Sequence, residues 1–238
     1  MTGWEVLAAT LVMAIGGALQ ASIGFGSLLV AAPVVALIDI DLVPAPTAVA
    51  GTALVLLIAY RERRGVDRQG IGWVLAGRVP GTLVGGAAVG LLPETGLQIV
   101  FGVLLLVAVG ISARTTHLER TPAVLASAGL LSGVMGTATS VGGPPIALVY
   151  QREEGPVIRG TLSAIFVVGS ILTLVTLAAV GELGADEWVA GLVMTPGIVL
   201  GFLVSRWTIP HVDGRALRPA VLGVSGAAAL VVLVEALV

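Results

Sequence analysis

The sequence predicts an all-α membrane protein made of two inverted repeats, each a re-entrant or broken helical hairpin followed by three transmembrane helices. Composition gives the class: 57% of the 238 residues are apolar, 11% are charged and the mean hydropathy is +1.07. Such values exclude an ordinary soluble domain. The repeat is visible because a shift of 112 positions superimposes Gly24 on Gly136, and both lie in Gly-rich stretches that interrupt long apolar runs. The same shift pairs Gly17 with Gly129 and Pro33 with Pro145.

Apolar runs divide the chain into eight segments when they are compared with the ~20 residues that cross a bilayer. The segments are 4–38, 43–60, 70–92, 96–113, 121–150, 158–181, 187–209 and 216–238. The first and fifth segments exceed one crossing but fall short of two crossings and a turn. Each is therefore either one kinked span or a hairpin that begins and ends on the same side of the membrane.

The arginines decide between these alternatives, because short cytoplasmic loops carry the excess of basic residues. All twelve basic residues are arginine. Two hairpins and six single crossings place eleven arginines in inside loops and none outside, whereas eight single crossings divide the same eleven into six and five. The inside arginines are then Arg61, Arg63, Arg64, Arg68, Arg114, Arg120, Arg152, Arg159, Arg206, Arg215 and Arg218.

The hairpin topology makes the two repeats, 1–113 and 114–238, inverted copies of each other. Each repeat has one hairpin and three crossings, and this odd number turns the second copy upside down in the bilayer. Non-helical backbone is tolerated in lipid only where it lines a cavity, and paired broken helices at the midplane are typical of secondary transporters. We therefore expect a multi-pass membrane protein with both termini outside.

The hairpin breaks supply most of the candidate substrate-binding residues. A helix that begins inside the membrane presents free N–H groups and a partial positive charge of ~0.5, which suits a small anion. Prolines favour the first turn of a helix, and Pro144 and Pro145 mark such a start. The hydroxyl groups add uncharged donors, or they bond only to their own turns. The candidates are Gly24, Phe25, Gly26 and Ser27 in the first break, and Gly136, Thr137, Thr139, Ser140, Gly142 and Gly143 in the second.

Arg78 is a further candidate because it is the one arginine outside the loops, about two turns inside the third segment. A charge near the bilayer centre costs ~2.5–3.5 kcal/mol on insertion scales, so such a residue is a functional hypothesis. The alternative is that its side chain extends back to the inner interface. Its partner in the second repeat is Met194 in the sequence register, so the feature is asymmetric.

Thr52 and Thr161 form a further matched pair of candidates. Gly51-Thr52 aligns with Gly160-Thr161 when the second copy has a slightly shorter loop. These threonines either line the cavity or bond to the preceding turn.

Glycines spaced by four residues predict close helix packing in the third and seventh segments. Small residues at this spacing let helix backbones approach in lipid. They are Gly77, Gly81 and Gly85 in one copy and Gly197 and Gly201 in the other.

Several kinds of function are disfavoured by what the sequence contains. There is no cysteine and there are two histidines, so we expect no metal site and no cofactor. His117 and His211 fall in loops without a carboxylate cluster, which argues against an enzyme. The loop from Arg61 to Arg68 is explained by membrane orientation rather than by nucleic-acid binding. The expected partners are a small anionic substrate and the lipid bilayer, and no oligomeric state is indicated.

The ordered motifs make the chain similar to one family. They are Gly24-Phe25-Gly26 with Pro33, Gly51-Thr52, the Arg-rich loop from Arg61, Gly142-Gly143-Pro144-Pro145 with Tyr150, and Arg159-Gly160-Thr161. Their order and duplication over nearly the whole length resemble the TauE/SafE sulfite-exporter family of bacterial membrane transporters. The resemblance implies movement of small sulfur-containing anions such as sulfite, thiosulfate or organosulfonates across the bacterial inner membrane, where the protein is expected.

The expected function is secondary transport of such an anion at a midplane site between the hairpin tips, with export favoured. All fourteen acidic residues lie in loops or near segment ends, so no carboxylate relay for protons is expected in the membrane centre. A negative interior favours anion exit by ~2.3 kcal/mol per charge per 100 mV. The alternatives are an anion channel and an uptake carrier for another small oxyanion.

Overall fold

The computed structural model describes residues 3–23, 27–114, 118–208 and 214–237, and these residues form ten α-helices. Within the described ranges there is no β-strand, and a short 3-10 turn at Ile40–Leu42 precedes the third helix. The helices of the first half of the chain are α1 Gly3–Ile23, α2 Ser27–Ile38, α3 Ala45–Arg61, α4 Arg68–Leu91 and α5 Glu94–Ala113. Those of the second half are α6 Pro122–Thr139, α7 Gly143–Tyr150, α8 Gly155–Ala179, α9 Ala185–Thr208 and α10 Gly214–Leu237.

Seven helices in the described part of the chain are long and apolar enough to cross a membrane. The all-helical membrane class is therefore confirmed. Each of the six shorter predicted segments contains one helix, and the observed ends lie within a few residues of the predicted ones. The helix starts follow ordinary capping chemistry. Thr121 accepts a hydrogen bond from Val124 N at the start of α6, and Asp67 accepts one from Gln69 N at the start of α4.

The two long predicted segments each contain a pair of helices packed on each other, α1 with α2 and α6 with α7. The predicted interruption of the second segment is confirmed at Ser140, where φ is 61° and α6 ends. In the first segment α1 ends at Ile23 and α2 begins at Ser27. The first arms have 21 and 18 residues and the second arms have 12 and 8. The arms of each pair are thus unequal, and the re-entrant path through the membrane stays a prediction.

Helix packing is the same when the two halves of the chain are exchanged. The helix α4 packs on α6, and its counterpart α9 packs on α1. Likewise α3 packs on α9, and its counterpart α8 packs on α4. Two further contacts join a helix to its own counterpart in the other half, α3 to α8 and α5 to α10. This exchange of partners is the pattern expected of two related repeats, each completed by the other.

The glycines spaced by four residues lie in these packing interfaces, as predicted. A Cβ atom on Gly81 would collide with the Leu130 carbonyl of α6, and one on Gly201 would collide with the Ala14 carbonyl of α1. Backbones therefore touch directly, which suits weak Cα–H···O contacts. The same contact with a facing carbonyl is made by Gly77, Gly85 and Gly197.

The same contacts set how each glycine-containing helix lies on its partner. Gly77 and Gly81 lie on the Ala126 and Leu130 carbonyls, while Gly197 and Gly201 lie on those of Thr10 and Ala14. Both sets of contacts repeat every four residues, so they fit more than one register between α4 and α9. The pairing of Arg78 with Met194 stays a prediction.

Candidate functional site

A cavity of about 70 Å³ lies inside the helix bundle, between the two hairpins. This volume is several times the ~10–15 Å³ that one water molecule needs on the same measure, so it accommodates a small ion. Both halves of the chain contribute to its wall. The lining residues are Gln20, Leu28, Leu29, Ala48, Gly51, Thr52, Val55, Arg78, Gly136, Ser140, Val141, Gly142, Gly143, Pro144, Phe166, Ser170 and Thr173.

The helix α3 brings the residues next to the two breaks close together. The Ser140 hydroxyl of the second hairpin lies 3.0 Å from the Thr47 hydroxyl. A Cβ atom on Gly51 would lie 3.3 Å from the Leu28 side chain of the first hairpin. Thr47 and Gly51 are four residues apart, about 6 Å along the helix axis. Residues next to the two breaks therefore contact α3 at positions about one helical turn apart.

Arg78 extends into the interior rather than to the membrane surface. Its side chain is 4% exposed, and Nη1 donates a hydrogen bond of 2.6 Å to the Ser132 hydroxyl. The guanidinium carbon lies 5.4 Å from the centroid of the Phe166 ring, which adds a cation–π contact. Of the two interpretations that the sequence left open, the geometry supports the one that places this charge at the cavity.

The charge of Arg78 has no countercharge among the described residues. The ion pairs of this part of the chain join Arg61, Arg120 and Arg159 to acidic side chains and do not include Arg78. Nε of Arg78 has no hydrogen-bond partner, and no carboxylate is among the described residues that line the cavity. A buried charge is costly unless it is paired. An anion in the cavity would supply the missing partner.

The break of the second hairpin gives this wall of the cavity its backbone donors. Gly142 caps α7, which begins with Gly143, Pro144 and Pro145. The first N–H groups of a helix have no partner within it, and the two prolines have no N–H at all. The available donors at this helix start are therefore the N–H groups of Gly142 and Gly143. The close approach of the Arg78 side chain to this break requires glycine at position 136, since a Cβ atom there would lie 3.2 Å from Nη2 of Arg78.

The hydroxyl groups of the break divide into two kinds. Thr139 donates to the Met135 carbonyl and accepts from Val141 N, so it stabilises its own turn. Ser140 lines the cavity, and its hydroxyl donates to the Pro44 carbonyl at 2.9 Å. Thr137 does not line the cavity but forms a 3.1 Å hydrogen bond with a residue that does, Thr173. Thr52 lines the cavity and donates to the Ala48 carbonyl.

Other predicted site residues lie elsewhere. Thr161 is not at the cavity; its hydroxyl accepts a 2.9 Å hydrogen bond from Asp67 N in the Arg-rich loop. Gly24, Phe25 and Gly26 fall outside the described residues, as does the side chain of Ser27. The structure thus brings together these predicted residues: Thr52, Arg78, Gly136, Ser140, Gly142 and Gly143.

Sequence reasoning missed the contribution of α8. Phe166, Ser170 and Thr173 line the cavity, and they occupy the same spacing as the α3 residues Ala48, Thr52 and Val55 at a shift of 118 positions. The sequence had matched Thr52 with Thr161 through the Gly-Thr dipeptide. The spatial counterpart of Thr52 is Ser170, which follows Gly169 just as Thr52 follows Gly51. This second Gly-hydroxyl dipeptide was the signal that could have located it.

Comparison with known families agrees with this architecture. The family described as "Sulfite exporter TauE/SafE" matches residues 9–232. Searches of curated proteins and of solved structures give no match. The family match spans both hairpins, every helix that lines the cavity and nearly the full length of the chain. This protein therefore belongs to the TauE/SafE sulfite exporter family of membrane transporters.

Proposed function

We propose that the chain is a secondary transporter that binds a small sulfur-containing oxyanion in the cavity between its two hairpins. The observation that carries this proposal is Arg78, a buried guanidinium without a countercharge at the cavity wall. Family membership supports a sulfite-exporter type of transport. Sulfite, thiosulfate and organosulfonates are the proposed substrates.

The proposed binding mode combines one full charge with neutral donors. The guanidinium of Arg78 offers a planar set of N–H groups that matches two oxygens of an oxyanion. The Gly142 and Gly143 N–H groups at the start of α7 supply partial positive charge from another direction. Thr52, Ser170 and Thr173 line the remaining wall, and the hydroxyls of Thr52 and Ser170, which donate to the Ala48 and Val167 carbonyls, would have to rotate to donate to an anion. Such a site neutralises a dehydrated anion without a metal.

The proposed topology has the arginine-rich ends of the helices in the cytoplasm and the two halves inverted relative to each other. The loops after α3, α5 and α7 then lie inside, while the acidic turns before α5 and α9 lie outside. Both termini lie outside, and the hairpins α1–α2 and α6–α7 enter from opposite faces. The exchange of helix partners between the halves supports this arrangement.

The proposed direction is export. The negative interior favours exit of an anion by ~2.3 kcal/mol per charge per 100 mV, so the membrane potential suffices as the driving force. In proteoliposomes, export should follow an imposed potential with the pH equal on both sides. Uphill movement driven by a pH gradient alone, with the potential clamped, would contradict this mechanism.

The anion site is tested by Arg78→Met in purified protein. Loss of a hydrogen-bonded charge of this kind weakens binding by about 1.5–3 kcal/mol, so we expect sulfite affinity to fall at least about tenfold. Arg78→Lys keeps the charge and should retain part of the affinity. Binding is measured by calorimetry with sulfite, thiosulfate, sulfate, sulfoacetate and acetate, and flux is measured in proteoliposomes.

The matched control is Arg63→Met. Arg63 contacts Tyr60 near the end of α3, does not line the cavity, and has the same formal charge. Its loss should leave binding unchanged. Equal sulfite affinity in the wild type and Arg78→Met would refute the site, and a preference for acetate over every sulfur oxyanion would refute the substrate class.

A further inference from the structure

One face of α8 extends from the cavity towards both ends of the helix. Phe166, Ser170 and Thr173 on this face line the cavity. At 3.6 residues per turn, Ser163 and Leu177 lie on the same face, within an arc of about 80°. These five residues, called here the α8 stripe, follow one another at alternating spacings of three and four along the helix. The stripe spans about 20 Å, more than half of a bilayer core.

The stripe is closed by a thin apolar layer towards the end where α4 finishes and α9 begins. Leu177 is fully buried there and packs with three small or medium side chains. Its neighbours are Ala45, Val89 and Ala138, each at most 6% exposed. Two of the four members are alanine, and the partly buried Leu97, Leu104 and Leu183 pack against the cluster from outside. We call this cluster the Leu177 layer.

Phe166 closes the stripe on the opposite side of the cavity. Its ring lies under the Arg78 guanidinium and packs against a larger apolar cluster that contains Val74 and Leu162. A ring in this place blocks the way from the cavity to the arginine-rich end. Phe166 and Leu177 are about 16 Å apart along α8, with the cavity residues between them.

Two buried hydroxyls without hydrogen-bond partners lie one helical turn from residues that line the cavity. Ser163 is 1% exposed and one turn beyond Phe166 on α8, while Thr82 is 2% exposed and one turn beyond Arg78 on α4. Buried hydroxyls are nearly always satisfied, since an unsatisfied one costs about 1–3 kcal/mol. A hydrated solute that passed them would give both hydroxyls a partner.

We propose that the α8 stripe is a wall of the translocation path, with Phe166 and the Leu177 layer as gates on either side of the anion site. The inference rests on the proposed transport function and adds which residues the substrate passes. In one state Phe166 excludes water from the arginine-rich side, and in the other Leu177 excludes it from the opposite side. The hydroxyls of Ser163 and Thr82 bond the anion or its water as each gate opens.

Single-cysteine variants test the path directly, because the natural chain contains no cysteine. Ser163→Cys, Ser170→Cys and Leu177→Cys should react with a small hydrophilic methanethiosulfonate in proteoliposomes. Ile171→Cys and Val175→Cys are the controls, since these residues of the same helix are 56% and 63% exposed on its outer side, which faces lipid in the membrane. A thiol reacts through its thiolate, which requires water, so the stripe positions should react at least about tenfold faster.

The labelling result separates this inference from the proposed function. Equal reactivity of the stripe and the two controls would overturn the path. If the stripe reacts as expected while Arg78→Met binds sulfite like the wild type, the path stands and the proposed anion site fails. Ser163→Cys changes only one atom of the side chain, so this variant should fold like the wild type and its labelling can be interpreted.

Flux through gate variants gives an independent readout. Leu177→Ala thins the gate and should raise sulfite efflux and also admit chloride, whereas Val175→Ala should leave both unchanged. Unaltered efflux and no chloride leak in Leu177→Ala would refute the role of the Leu177 layer. Calorimetry on the same variants should give sulfite affinity within about twofold of the wild type, because Leu177 does not line the cavity.

Discussion

At the scale of single residues, the Ser132 hydroxyl connects the charge of the site to its backbone donors. It accepts a hydrogen bond of 2.6 Å from Arg78 and donates one of 2.6 Å to the Gly142 carbonyl. A hydroxyl can do both at once, since it has one donor and two acceptor positions. This chain of bonds fixes the guanidinium relative to the start of α7, so both elements of the proposed site are held in one geometry.

We expect Ser132→Ala to weaken sulfite binding about tenfold while leaving the charge of Arg78 in place. The reason is that the guanidinium loses its orienting partner, and a hydrogen bond to a charged group is worth about 1.5–3 kcal/mol. Calorimetry of the purified variant measures the affinity. Ser127→Ala on the exposed side of the same helix is the control. Unchanged affinity in Ser132→Ala would show that Arg78 needs no such orientation.

The contrast between Arg78 and Ser132 explains what could be predicted from the sequence at this scale. A charge inside an apolar span is rare and expensive, so Arg78 stood out without any structure. A serine in an apolar helix is common, and Ser132 acquires its importance from a residue 54 positions away. Long-range partners of this kind have no local signature.

At the scale of helices, α4 and α6 approach so closely that their contact excludes side chains. A Cβ atom on Gly133 would lie 2.5 Å from the Arg78 carbonyl, and one on Gly85 would lie 2.7 Å from the Val134 carbonyl. Arg78 and Ser132 lie in this interface. The short distance between the helix backbones is what allows their hydrogen bond.

We expect Gly81→Ala to destabilise the protein, because its added methyl group collides with the Leu130 carbonyl and forces α4 away from α6. Overpacking of this kind costs about 1–3 kcal/mol. Gly72→Ala on the same helix has open space around the added atom and should be neutral or stabilising by up to about 1 kcal/mol. Thermal unfolding in detergent compares the two. Equal melting temperatures would contradict the packing argument.

The sequence predicted helix positions correctly where glycine and proline mark them. It failed to match residues between the two halves where the lengths of the loops differ. The shift of 112 positions relates α1 to α6 and stays a prediction, and glycines of both helices contact a partner helix. The shift that matched Thr52 with Thr161 was misleading, since α8 has 25 residues and α3 has 17. Counterparts on α8 are set by the cavity they line, and that is a property of tertiary packing.

At the scale of the whole molecule, ion pairs join the two halves at the arginine-rich end. Glu62, which follows α3, accepts a 2.9 Å contact from Arg159 of α8 and a 3.3 Å contact from Arg61. Arg120 pairs with Asp67 and with Glu153 at 2.9 Å each. These side chains are 15–40% exposed, and pairs that water reaches add little, about 0–1 kcal/mol each, so their main effect is on how the halves are positioned.

The inverted topology predicts that the turn before α3 and the turn before α8 lie on opposite sides of the membrane. Asp41→Cys and Glu154→Cys place unique thiols in these exposed turns. A membrane-impermeant maleimide added to intact cells should label the first and not the second, and permeabilised cells should show both. Labelling of both from the same side would refute the inverted arrangement and with it the transport mechanism.

The hydroxyl of Ser140 bears on any motion of the bundle. By bonding to the Pro44 carbonyl and the Thr47 hydroxyl, it fastens the bend of the later hairpin onto the opening turn of α3 in the earlier half. A neutral hydrogen bond contributes about 0.5–1.5 kcal/mol, so it favours joint travel of these two parts. The helix α8 carries both barriers and takes no part in this bond, so its tilting would expose the substrate alternately without breaking it.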